Sequence, residues 1–119
     1  MKKKILVLVL LLVSASSFIL AESVLDFRLN NKIGCSINNV YVSPAGEDNW
    51  SDDILSADIL ANGKSIDISF DGDFDSDSWD LYVTDEDGDE YLYQNLDLTE
   101  ISELTLKWSA SRGGWAEWK

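Results

Sequence analysis

The amino-acid sequence predicts an all-β domain, a small antiparallel sandwich of about six to eight short strands, behind an export leader. Two observations predict the sandwich. Apolar and polar residues alternate in short runs, which is the period of a half-buried strand. Turn residues such as Asn62-Gly63 and Asp87-Gly88 separate those runs at regular spacing, with no repeat or linker between them. A third observation predicts the leader: Lys2, Lys3 and Lys4 precede an aliphatic run over residues 5–13, a serine-rich stretch and then Ala21.

The leader is assigned to residues 1–21, with cleavage after Ala21 and a cut after Ala15 as the alternative. Its apolar run is short of the roughly 20 residues that span a bilayer, so no stable membrane anchor is expected. No cysteine follows either cut, which argues against a lipid anchor. Residues 22–119 then form a single domain that works in the periplasm or outside the cell.

Within that domain, Leu25, Phe27 and Leu29 alternate with Asp26 and Arg28 as a first strand, closed by Asn30, Asn31 and Lys32. A second strand runs through Val40, Tyr41 and Val42 to Pro44, with a bulge expected near Asn38 and Asn39 where the alternation slips. In residues 51–60, Ile54, Leu55 and Ile59 lie at helical spacing behind a Ser51 cap. One short helical turn is expected there, or else an irregular loop pinned by Trp50 and Leu60. Asn62-Gly63 reverses the chain into Ile66, Ile68 and Phe70. Trp79, Leu81 and Val83 pair with Tyr91, Leu92 and Tyr93 as a hairpin around Asp87-Gly88. Leu104, Leu106 and Trp108 form a further strand, and the tail from Ser109, with Gly113-Gly114, reads as a last edge strand or a mobile end.

Several pieces of this chain also resemble a family of small exported bacterial β-rich domains. They are Val40-Tyr41-Val42-Ser43-Pro44, Asp48-Asn49-Trp50, Asp53-Ile54-Leu55, Trp79-Asp80-Leu81, Glu86-Asp87-Gly88 and Asn95-Leu96-Asp97-Leu98 before Glu100-Ile101-Ser102. The resemblance covers most of residues 24–108 and implies a compact β-rich domain with no activity or site residues to carry over. Relatives often place cysteines where this chain has Asp77 and Thr99, so the bridge they imply is absent. Some relatives bear the name argininosuccinate lyase. That enzyme class is far longer, helical and tetrameric and uses histidine, whereas this chain contains none.

The charge and the missing residue types exclude more chemistry than they suggest. Removal of the leader leaves six basic residues against 22 acidic ones. Such a surface repels nucleic acid and anionic lipid. Without histidine, neither a Ser-His-Asp nor a Cys-His arrangement can be assembled, nor can zinc sites of the common kind, and no enzymatic activity is expected. Cys35 is alone, so no internal disulfide forms; it is expected as a small core residue rather than a reactive thiol.

Three functional readings follow. The leading one is an exported, monomeric, non-enzymatic module that binds a protein or other surface partner and needs no cofactor. The second is calcium binding or calcium stabilisation, using Asp71, Asp73, Asp75 and Asp77 before Trp79 and Asp85, Asp87 and Asp89 at the hairpin tip, because calcium takes hard oxygen ligands. Glu47, Asp48, Asp52 and Asp53 form a further acidic cluster, yet no stretch fits the helix-loop-helix calcium pattern. The third is sugar binding on exposed aromatics, with Trp115, Trp118, Tyr91 and Tyr93 as the candidates beside Tyr82. Trp50, Trp79 and Trp108 are expected to fill the core.

Overall fold

Alternation determines which side of each strand turns inward. In the structure, a computed structural model describing residues 23–119, this yields seven strands. They are β1 (Phe27–Lys32), β2 (Ile37–Pro44), β3 (Ser65–Ile68), β4 (Ser78–Asp85), β5 (Glu90–Asp97), β6 (Glu103–Ser109) and β7 (Gly113–Trp118). The expected leader, residues 1–21, lies outside the described residues. β1 and β6 send Phe27, Leu29, Leu104 and Leu106 inward, and β2 and β4 answer with Val40, Val42, Trp79, Leu81 and Val83. Full burial of each such side chain contributes about 1.5–3 kcal/mol.

The strands form a four-stranded sheet ordered β3-β1-β6-β7 and a three-stranded sheet ordered β2-β4-β5. Every pairing is antiparallel except that of β1 with β6, which corrects the purely antiparallel expectation. Parallel neighbours need a long crossover. Residues 33–102 supply it by building the whole second sheet on the way. The tail is an edge strand: β7 pairs with β6 from Ser109↔Gly113 to Leu104↔Trp118.

The slip in alternation near Asn38 and Asn39 is a bulge, seen as a register shift between Ile37 and Asn39 against β4. A second irregularity lies across from Asp80, where the pairing steps from Trp79↔Leu96 to Leu81↔Tyr93. Asn95 takes a left-handed conformation there (φ 58°) and its N–H bonds the Asp80 carboxylate at 2.9 Å.

Residues 51–60 contain no helix. Residues 54–57 form a turn, Ser56 has φ 55°, and Ile59 is 61% exposed rather than on an apolar face. The competing interactions come from the edge of β2. Ser51 and Ile54 donate N–H groups to Val42 O (2.9 Å) and Val40 O (2.8 Å), and Ile37 and Leu60 exchange two backbone bonds. The Asp53 carboxylate completes the seal by accepting from Val40 N, Leu55 N and Asn39 Nδ2. An open strand edge invites foreign pairing, and this segment closes one.

Of the three tryptophans expected in the core, only Trp79 is there, at 4% exposure. Trp108 is 47% exposed because its neighbour across the β6–β7 ladder is Gly114, which has no side chain to cover it. Trp50 is half-buried and packs on the outer side of the second sheet, against Tyr82. Cys35 is half-buried against the core and its thiol donates to Asp85.

Candidate functional site

After β3 the chain crosses from the first sheet to the second through residues 69–77, an irregular stretch with Gly72 at φ 95°. Two bonds fix its ends: Phe70 N–H to Asp26 Oδ1 at 2.8 Å, and the Trp79 indole N–H to Ser76 O at 2.9 Å. Between them Phe70, Phe74 and Trp79 pack edge to face, with ring centroids 4.9–5.7 Å apart. Such pairs add about 0.5–1.5 kcal/mol beyond burial. Phe74 nevertheless remains 46% exposed. It borders a groove of about 400 Å³ whose other walls include Val42, Trp50, Ile54 and Ile68.

Trp50 links this groove to the outer face of the second sheet. Its ring lies 5.8 Å from Tyr82, which stacks on Tyr41 at 5.6 Å. Tyr41 and Tyr82 are cross-strand partners, and Tyr82 also pairs with Leu92, which is 53% exposed. The Glu90 carboxylate beside Tyr82 raises its phenol above the ordinary value.

The acidic candidates divide sharply. Asp85, Asp87 and Asp89 come together, with carboxylate oxygens all within 4.8 Å of one another. Asp71, Asp73, Asp75 and Asp77 join no such group among the described residues. Within the trio, Asp85 is already engaged. Its Oδ1 accepts the Asp87 and Asp89 N–H groups at 2.9 and 3.0 Å, and its Oδ2 accepts the Tyr91 hydroxyl at 2.9 Å and the Cys35 thiol at 3.7 Å. A carboxylate has about four lone-pair directions, so no free one faces a cation. Burial pushes the Asp85 carboxyl upward, but the bonds from Tyr91 and the two amides outweigh it and hold the group below its ordinary value. In return, burial and the Asp85 charge raise the Cys35 thiol to about 11, which keeps it protonated and unreactive.

The same use of aspartate recurs. Asp80, 3% exposed, accepts from Gly46 N and Asn95 N, and Asp26 accepts from Ser23 N and Phe70 N. These carboxylates hold loops onto strands.

The four sugar-binding candidates do not share a face. Tyr93 is buried and Tyr91 half-buried, both turned into the sandwich beside Gly114 rather than outward. Trp115 lies on the outer side of the first sheet, with the Arg112 guanidinium 4.0 Å above its ring. Trp118, 57% exposed, and Tyr93 do border one shallow groove of about 280 Å³ between the β5 and β7 edges.

The Phe70, Phe74 and Trp79 cluster was not among the sequence candidates. Its signal is present as two phenylalanines set in an Asp, Gly and Ser stretch that otherwise reads as a solvated loop.

No family profile matches the chain, and no curated protein matches it. A solved structure described as the NMR structure of the protein from Eubacterium rectale is similar, with a TM-score of 0.57 over 78% of this chain and 85% of that one. The two share 16% sequence identity, so the likeness concerns the fold alone.

Proposed function

We propose that the protein is an exported, monomeric, non-catalytic binding module that holds a segment of another protein in the groove formed by Trp50, Ile54, Phe70, Phe74 and Trp79. One observation carries this reading: Phe74 is locked edge to face by two aromatic neighbours and still leaves 46% of its surface in water. A side chain that only filled the core would be covered, because exposed apolar area forgoes about 25 cal/mol per Å². Rigid aromatic anchors at the mouth of an apolar concavity are what hot spots of protein interfaces use. Both sheets fix the groove, so a partner meets a preorganised surface. The calcium reading has less support, since the one carboxylate trio among the described residues is centred on Asp85, whose oxygens are taken.

A phage-displayed peptide selection tests it, using the full chain as processed by the exporting cell. Enriched peptides are expected to share an aromatic or aliphatic residue, to lose binding on Phe74→Ser and to keep it on Leu92→Ser. Enrichment without a shared residue, or binding indifferent to Phe74, rejects the groove as the site.

A further inference from the structure

Charge is distributed very unevenly over this fold. Residues 33–63 and 69–102, which build the second sheet and its connections, hold seventeen acidic residues and no lysine or arginine. The rest of 23–119 holds all six cations and four acids. The three ion pairs found among the described residues, Arg28–Asp67, Lys107–Glu117 and Lys119–Glu103, all lie on the first sheet. Arg112 sits over Trp115 on that sheet as well. No lysine or arginine lines the groove, and Arg28, which borders Ile68 and Ser69 from the adjoining side, is already paired with Asp67.

Apart from Ile68 of β3, the groove's lining residues come from this anionic half. Asp71 is one of its lining residues, and Asp73, Asp75 and Asp77 follow along the same crossing segment. None of the four is ion-paired among the described residues. The structural demand for carboxylates is met elsewhere, by Asp26, Asp53, Asp80 and Asp85, each of which accepts backbone N–H groups. The crossing-segment aspartates have no such duty.

We infer that the groove's partner is a cationic protein segment, with an aromatic or aliphatic anchor seated against Phe70, Phe74 and Trp79 and lysine or arginine side chains facing the Asp71–Asp77 stretch. The inference rests on the groove reading above and adds the chemistry of the occupant. Complementary potential steers encounter and rejects acidic competitors. A lysine or arginine flanking the anchor also meets the exposed face of Phe74 or Trp50 favourably. Such attraction is screened by salt, whereas the apolar contact is not.

Three synthetic peptides sharing a Leu-Phe-Leu anchor, flanked by lysines, glutamines or glutamates, separate the two contributions by titration calorimetry. The lysine peptide is expected to bind about ten-fold tighter than the glutamine peptide at about 50 mM salt, and within about two-fold of it near 500 mM. Asp71→Asn/Asp73→Asn/Asp75→Asn should remove most of that salt-dependent gain and leave the glutamine peptide unchanged. Phe74→Ser, checked by circular dichroism to keep the parent's β-sheet spectrum, should abolish binding of both. Equal binding of the lysine and glutamine peptides, both lost on Phe74→Ser, overturns the cationic partner and leaves the groove reading standing. Lysine-peptide binding that survives Phe74→Ser places the contact elsewhere and overturns the inference, and failure of all three peptides to bind overturns both.

Discussion

The two sheets of this sandwich face solvent in opposite ways. The outer side of the first sheet satisfies itself: Arg28 pairs with Asp67, its own cross-strand partner in β3, and Lys107 reaches Glu117 on β7. The second sheet stacks Tyr41, Tyr82 and Trp50 on its outer side, and its acids form no ion pair among the described residues. Exposed ion pairs contribute about 0–1 kcal/mol each, so the difference says little about stability. It says that, among the described residues, the charges of one face are paired within the chain while those of the other are not. Within the second half, acids further divide into those that hold the backbone and those that only charge the surface.

That division has the largest testable consequence. Asp85→Ala strips partners from two backbone amides and the Tyr91 hydroxyl at a buried hairpin tip. The expected loss is about 3 kcal/mol in urea unfolding, against less than about 0.5 kcal/mol for Asp87→Ala or Asp89→Ala. Because its folded carboxyl lies below the ordinary value, the contribution of Asp85 is present at neutral pH. It disappears as pH falls below about 4, where the unfolded chain takes up a proton first. The variant's stability should therefore fall less steeply with acid than the parent's. Equal losses across all three aspartates would erase the distinction between clamps and surface charge.

A smaller effect of opposite sign is expected at the β5–β7 edge. The Tyr93 hydroxyl is buried without a hydrogen-bond partner among the described residues, close to the space above Gly114. Tyr93→Phe removes a desolvated donor and leaves the ring in place, so stability should rise by about 1 kcal/mol. Thermal melts of the variant beside the parent would show it. A drop instead would mean that the hydroxyl holds a water, and that this edge is as well satisfied as the first sheet's surface.

Much of the framework is legible in the chain. The Leu81 and Val83 strand, the Asp87-Gly88 hairpin and the slip at Asn38 and Asn39 follow from local alternation and turn chemistry. The faces of Tyr91 and Tyr93 do not, because a hairpin's register depends on how many residues its loop takes, and one residue more or less turns every side chain over. Here residues 86–89 form the loop, which sets Tyr91 opposite Val83 and Tyr93 opposite Leu81, both inward. The parallel β1–β6 pair is equally hidden, being a contact across more than half the chain. Nor does composition separate Asp85 from Asp87: the two are alike in sequence, and only the fold gives one of them four donors. The role of Phe74 is hidden for a related reason, since its neighbours in sequence are acids while its neighbours in space are rings.

The finest test of the comparison uses simple ions. Excess charge on the second half repels itself, so raising sodium chloride from about 50 mM to about 500 mM should raise the melting temperature by a few degrees. The weak pairs on the first sheet lose less than that gain. Calcium at a few millimolar should then do no more than magnesium at equal ionic strength. Only Asp87 and Asp89 of the hairpin trio have free oxygens, and calcium wants six to eight ligands. A calcium-specific rise would mean that binding to the folded state adds its own stabilisation by mass action. The unpaired acids would then be ligands in waiting for a metal, and the contrast between the two sheets would mark an ion site in place of a docking face.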